Sequence, residues 1–296
     1  MQSLAHKEAE RKAAQLTCWR GPVTPEPLGG GISNLNFVVA DGGAKFMVRI
    51  GDDLPVHGVL RRFELATSRA AHAAGVSPEV IHAESGALVL RFIEGRTLSA
   101  EDVRDPATLD QIVTLIQTYH QAIPQHLRGT PPLFWVFHAI RDYAARLQDD
   151  RSRMVGELPR LLGAAAELEQ AVGSIKLVFG HNDLLAANLI DDGTRLWLVD
   201  WEYGGFNSPL FDLANLASNN ELSAEAETAL LERYGATPPT AKLSRSYDAM
   251  KSASILREAM WSMASEIHSA LDFDYVAYTG DNLERFEQAY RAFRAR

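Results

Sequence analysis

The sequence predicts an α+β fold in two lobes, an antiparallel sheet lobe over residues 1–94 and a mainly helical lobe over residues 95–296. Three observations predict it. The first ninety residues mix β-rich runs with one helical pattern, and most of the remaining chain has helical spacing. A histidine, two aspartates and an asparagine also stand at fixed spacing between Val178 and Trp201, in V-F-G-H-N-D-L-L-A-A-N-L-I-D-D-G-T-R-L-W-L-V-D-W.

In chain order, Leu35 to Ala40, Lys45 to Ile50 and Ala87 to Ile93 are β-rich runs bounded by glycines, with Asp41-Gly42-Gly43 as a hairpin turn between the first two. Between the second and third runs lies V-L-R-R-F-E-L-A-T-S-R-A-A-H-A-A-G, an alanine-rich helix ended by Gly75. Further on, the apolar run Leu196 to Val199 delivers Asp200. The late segment S-A-S-I-L-R-E-A-M-W-S-M-A-S-E-I-H-S-A-L is helical, with Leu256, Met260, Met263, Ile267 and Leu271 forming one stripe, the expected core face. Trp261 lies off that stripe, beside Arg257, Glu258, Ser265 and His268, and reads as an amphipathic boundary residue or as one wall of a cation cage.

The spacing in the Val178–Trp201 segment matches a phosphotransfer site. Phosphoryl transfer to an alcohol needs a carboxylate to take the hydroxyl proton and oxygen ligands that hold Mg²⁺ against the nucleotide phosphates. H-x-D-x-x-x-x-N supplies Asp183 as that base and the Asn188 amide five residues on, and Asp200 comes at the end of a strand. Asn188 and Asp200 are hard oxygen donors of the kind Mg²⁺ prefers. His181 is expected to brace backbone carbonyls rather than to move protons. Together these residues predict a bilobal, protein-kinase-like fold that uses ATP and Mg²⁺.

Three features of the small lobe bear on this assignment. In L-G-G-G-I-S-N-L-N-F, Gly30 and Gly31 let backbone amides approach phosphates, with Ser33 and Asn34 covering the nucleotide. The cation that pairs the phosphates is Lys in the protein-kinase V-A-I-K, whereas this chain reads M-V-R-I and offers Arg49. Lys45, on the same strand face, competes with it. Glu64 is the helix carboxylate placed to orient that cation, and Phe92 and Ile93 would present backbone to adenine next to a hinge at Glu94.

Composition narrows the partners. With 29 basic and 38 acidic residues the net charge is -9, which argues against a general nucleic-acid or anionic-membrane surface. Cys18 is the only cysteine, so an intrachain disulfide and Cys-rich metal sites are excluded and a cytoplasmic location is expected. The polar start M-Q-S-L-A-H-K-E-A-E-R-K does not read as a signal peptide, and no apolar run approaches the roughly 20 residues that span a bilayer. Walker, zincin and G-x-S-x-G signatures are missing.

G-G-I-S-N-L-N-F, H-N-D-L-L-A-A-N-L-I and V-D-W-E-Y together resemble the choline/ethanolamine kinases, within the aminoglycoside phosphotransferase and protein-kinase-like group. The resemblance spans most of the chain and implies that Arg is acceptable at position 49. It also implies that Asp212, in N-S-P-L-F-D-L-A-N-L, braces the catalytic loop, and that a homodimer is one assembly to expect. Carried over from the family's ammonium pocket, Tyr203, Trp261 and Tyr278 become the walls for a small cationic amino alcohol, choline first and ethanolamine as the alternative. Glu258 stands where eukaryotic members carry a second Trp, which makes the cage more acidic and favours an ammonium with hydrogens to donate. Rival readings are a kinase for an aminoglycoside, thiamine or another hydroxylated compound, and an inert nucleotide- or ammonium-binding module.

Overall fold

The computed structural model describes residues 4–29, 34–269, 271 and 273–295. Near the amino terminus, α1 (Leu4–Ala14) precedes a five-stranded sheet of β1 (Glu26–Leu28), β2 (Leu35–Asp41), β3 (Ala44–Ile50), β4 (Val80–Glu84) and β5 (Ala87–Arg91), in the order β1-β2-β3-β5-β4. Every pairing is antiparallel. Asp41 pairs with Ala44, so the β2–β3 turn is Gly42-Gly43, and both glycines have positive φ (58° and 82°). That is the left-handed geometry a two-residue hairpin needs to match strand twist.

Between β3 and β4 runs α2 (Arg61–Ala73). Val59 and Leu60, expected within it, lie outside, because Val59 closes a bridge with Leu54. The helix stops where Gly75, at φ 77°, donates to the His72 carbonyl while Val76 donates to Ala71, the paired closure that only a left-handed residue permits cheaply. The strand expected to reach Ile93 ends at Arg91, after which the Phe92 amide bonds the Lys45 carbonyl and the chain leaves the sheet. One face of the sheet is closed by α1, whose Ala9 and Ala13, with Leu16 just beyond the helix, meet Phe37, Val39, Val48 and Val89. The opposite face presents Asn36, Met47, Arg49 and Leu90 to the cleft.

The rest of the chain is mainly helical. After β6 (Arg96–Thr97) come α3 (Ala100–Arg104), α4 (Pro106–His126), α5 (Val136–Asp149) and α6 (Leu158–Val172). Short strands β7 (Val178–Gly180), β8 (Leu189–Asp191), β9 (Leu196–Leu198) and β10 (Gly205–Asn207) flank the segment that holds His181, Asp183, Asn188 and Asp200, and α7 (Pro209–Asn219), α8 (Ala224–Gly235), α9 (Ala241–His268) and α10 (Tyr275–Ala295) complete the lobe. The pairs β8–β9, β6–β8 and β10–β7 are all antiparallel.

The apolar stripe expected on the late helix needs correction. Helix α9 ends at His268, so Leu271 lies beyond it, and Ile267 and Leu271 are exposed. Trp261, expected at a boundary, is buried. The reason is that α9 runs through the middle of the lobe, packed by α5, α6, α7 and α10, and its residues from Ser246 to Ser265 are buried on nearly every side. A helix enclosed in this way has no single core face, and a 3.6-residue period stops marking one.

Candidate active site

A cleft of about 620 Å³ opens between the sheet and the helical lobe. The loop that begins at His181 and carries Asp183 is set by hydrogen bonds to buried groups. Asp212, near the start of α7, accepts the backbone N–H of His181 and of Asn182, each at 2.8 Å, and also the Tyr119 hydroxyl at 2.5 Å. His120 Nε2 lies 3.0 Å from the same carboxylate. Burial works against the charge, but the His120 bond and the other donors outweigh it and hold Asp212 below the usual carboxylate range. Asn182 takes a left-handed φ of 67°, a conformation Asn tolerates better than most residues. Its side-chain amide donates to the Tyr203 carbonyl at 2.9 Å.

His181 is fully buried, and burial lowers its pKa. Its Nε2 sits 2.9 Å from the Val199 carbonyl, and Nδ1 accepts the Asp183 amide at 3.3 Å. A neutral imidazole satisfies both contacts, one nitrogen donating and the other accepting. The two bonds fix the backbone where each aspartate begins, at the Asp183 amide and at the Val199 carbonyl before Asp200.

Asp183 lines the cleft with Asn188, Asp200 and Glu202. Burial pushes its carboxyl up to about 8, against the pull of Arg257 and with Glu258, Asp200 and Glu202 adding to the rise. Asn188 donates its side-chain nitrogen to the Asp183 carbonyl at 2.9 Å, which commits the amide nitrogen and leaves the oxygen as the donor atom for a cation. Asp200, at φ 68°, stands in left-handed backbone. That is a costly conformation for a non-glycine residue and a common one at functional sites. Arg49 Nη2 binds its Oδ1 at 2.8 Å. Among the described residues no three acidic, His or Cys side chains converge as metal ligands. The free amide oxygen of Asn188 and the carboxylate of Asp200 are hard oxygen donors, a pair that fits a cation completing its shell with phosphate oxygens and water, as Mg²⁺ does.

Arg49 is buried in β3 and also pairs with Glu64 of α2, with Glu202 at 3.9 Å. Burial pulls its pKa down, but Asp200, Glu64 and Glu202 together raise it. The competing Lys45 is bonded to Glu94 at 2.8 Å near the β5 exit, with its ammonium 5.7 Å from the centre of the Phe92 ring. Arg61, which no sequence motif singles out, is a second cation in this network: it binds Glu64 at 2.6 Å, Glu202 at 3.1 Å and the Asn34 side chain at 2.5 Å. Two arginines and three carboxylates, Glu64, Asp200 and Glu202, thus meet in one cluster, with Asn34 attached. Gly30, Gly31 and Ser33 lie outside the described residues. Phe92 and Ile93 line the cleft on the side away from α9.

The cleft continues to Tyr203, Arg257, Glu258, Trp261 and Tyr278. Tyr278 donates its hydroxyl to Glu258 at 3.0 Å. Sequence reading also missed His57, which reaches this wall from the β3–α2 connection. Its ring lies 5.2 Å from that of Trp261, with Nδ1 3.1 Å from the Tyr143 hydroxyl and Nε2 3.3 Å from the Ser265 hydroxyl. Burial, then Arg257, lowers its pKa to about 3, so this link between the lobes is a neutral one. A lone His in a loop gives no sequence signal of such a partner.

Known proteins share both the sequence and the architecture. The chain is 31% identical over 210 residues to protein LicA of Haemophilus influenzae, which covers 69% of this chain and 61% of that relative. It is 26% identical over 288 residues to a probable ethanolamine kinase of Arabidopsis thaliana, covering 86% and 76%. In three dimensions it superposes on the choline/ethanolamine kinase family protein of Mesorhizobium loti with a TM-score of 0.77 at 26% identity, over 96% of this chain and 94% of that one. Residues 26–230 match the choline/ethanolamine kinase family, and the chain belongs to that family of ATP-dependent phosphotransferases acting on alcohols.

Proposed function

We propose that this protein transfers the γ-phosphoryl group of ATP to the primary hydroxyl of a small cationic amino alcohol, choline or ethanolamine, in the cleft between a nucleotide lobe over 1–94 and an acceptor lobe over 95–296. The observation that carries it is that one continuous cleft holds both Asp183 with Asn188, Asp200 and Arg49 and, further in, Trp261 with Tyr278.

On this proposal the acceptor oxygen attacks phosphorus in line, the bond from the γ-phosphorus to the β-bridging oxygen breaks, and ADP leaves. Asp183 takes the hydroxyl proton and returns it to solvent, so no phosphoenzyme forms. Arg49, positioned by Glu64, neutralises phosphate charge. Asn188 and Asp200 would hold Mg²⁺, which supplies charge neutralisation across the phosphates when bound. Ring faces of Trp261 and Tyr278 attract the ammonium, each contributing roughly 0.5 to 2 kcal/mol. Among the described residues no helix is long and apolar enough to cross a membrane, which fits the cytoplasmic location proposed for such an enzyme.

The test is ADP release with ATP and Mg²⁺ across choline, ethanolamine, thiamine, an aminoglycoside and no acceptor. Turnover confined to the amino alcohols supports the proposal; turnover only of the others, or of none, overturns it. Trp261→Ala should raise the acceptor KM about tenfold or more with little change in the KM for ATP. His57→Ala should move the same two constants in the same directions by roughly threefold to tenfold, because it frees the Trp261 ring without removing it. Steady-state kinetics with each substrate varied in turn checks both, and equal effects on the two KM values would argue for general damage.

A further inference from the structure

Arg257 is a buried cation in the acceptor half of the cleft. Its guanidinium carbon lies 4.3 Å from the centre of the Tyr203 ring and 5.8 Å from that of Phe134. Nη1 donates to Glu258 Oε2 at 3.1 Å, while Nε and Nη2 are buried without a hydrogen-bond partner. A guanidinium with two of its three nitrogens unpartnered is held there by the aromatic faces and by charge rather than by a full set of bonds.

An incoming ammonium meets two effects of this arrangement. A ring face stabilises the cation that lies on it, and the face of Tyr203 already carries one. Glu258 is engaged at both oxygens, Oε2 by Arg257 and Oε1 by Tyr278. A carboxylate oxygen retains a further lone pair in such a contact, and an N–H donor can use it whereas a methylated nitrogen cannot. A trimethylated ammonium is then left with Trp261 and Tyr278 alone, next to a like charge.

We propose that Arg257 is the specificity-determining residue of the acceptor chamber, a resident cation that closes Tyr203 to the acceptor and makes the site prefer a primary ammonium alcohol over a quaternary one. This inference rests on the amino-alcohol function proposed above.

The experiment measures kcat/KM for ethanolamine and for choline in wild type, Arg257→Met, Arg257→Lys and Glu258→Gln. Wild type should favour ethanolamine. Arg257→Met, which keeps an unbranched stem and frees the Tyr203 face, should move the ratio toward choline by about tenfold, the effect of one recovered ring contact. Arg257→Lys retains the charge and should keep the ratio within about threefold of wild type. Preference of wild type for choline, or an unchanged ratio in Arg257→Met of normal thermal stability and ATP affinity, overturns the proposal. Should Arg257→Met fail to fold, Glu258→Gln decides: a selective loss on ethanolamine supports the proposal, and equal loss on both acceptors overturns it. Turnover of neither alcohol by wild type removes the acceptor assignment itself, and this inference with it.

Discussion

Asp183→Asn is expected to lower kcat by about 10²- to 10⁴-fold, the usual contribution of a positioned general base. ATP affinity should stay within about twofold of wild type, since the Asp183 side chain is assigned to the acceptor hydroxyl. Steady-state turnover and nucleotide titration check the two halves, and near-normal turnover would remove the proposed base. The same substitution should stabilise the nucleotide- and metal-free protein at neutral pH. The folded carboxyl is pushed up to about 8 by burial, whereas an unfolded Asp titrates near roughly 3.9. Between those values the folded state holds its proton more tightly, so this group's contribution falls as pH rises through the window. Asn does not titrate, so its advantage, on the order of 4 kcal/mol or several degrees in Tm at pH 7, should vanish toward pH 4. Thermal melts at the two pH values decide the point.

Asp212→Ala should be the most damaging change to the fold. It removes the acceptor of two backbone amides and the Tyr119 hydroxyl, together with the partner of His120. Leaving such buried donors unpaired costs about 3–5 kcal/mol, which for a chain of this length lowers Tm by roughly 10 °C. Activity should fall as well, because the amides freed belong to His181 and Asn182, immediately before Asp183. The sign of the pH effect is opposite to that at Asp183. Asp212 is held below its ordinary range, so its stabilisation is present above the unfolded pKa and is lost as the pH falls through the folded one. Wild type and variant should therefore converge in acid, and melting curves across pH check this.

Features carried by local spacing were legible in the sequence. The Gly42-Gly43 turn, the Gly75 helix stop and the run of Asp183, Asn188 and Asp200 each depend on residues close together in the chain, and their chemistry restricts what they can do. What escaped depends on distant partners. Helix α1 covers the sheet with small alanines, Ala9 and Ala13, which give little periodic contrast against a polar sequence. Arg61 looks like any helix arginine until Asn34 and Glu202 are brought to it from 27 and 141 residues away. In α9 the stripe pattern misled, because burial on every side makes hydrophobic spacing uninformative just where Arg257 and Trp261 line the cleft.

In the cluster of Arg49, Arg61, Glu64 and Glu202, two guanidinium groups share the same two carboxylates. In many phosphotransferases of this architecture the cation–carboxylate pair must be switched into place by a modified or mobile segment. Here Arg49 is paired with Glu64 by residues of the chain itself, and the second arginine ties Glu64 to Glu202. Loss of either carboxylate would therefore take a partner from both guanidinium groups at once.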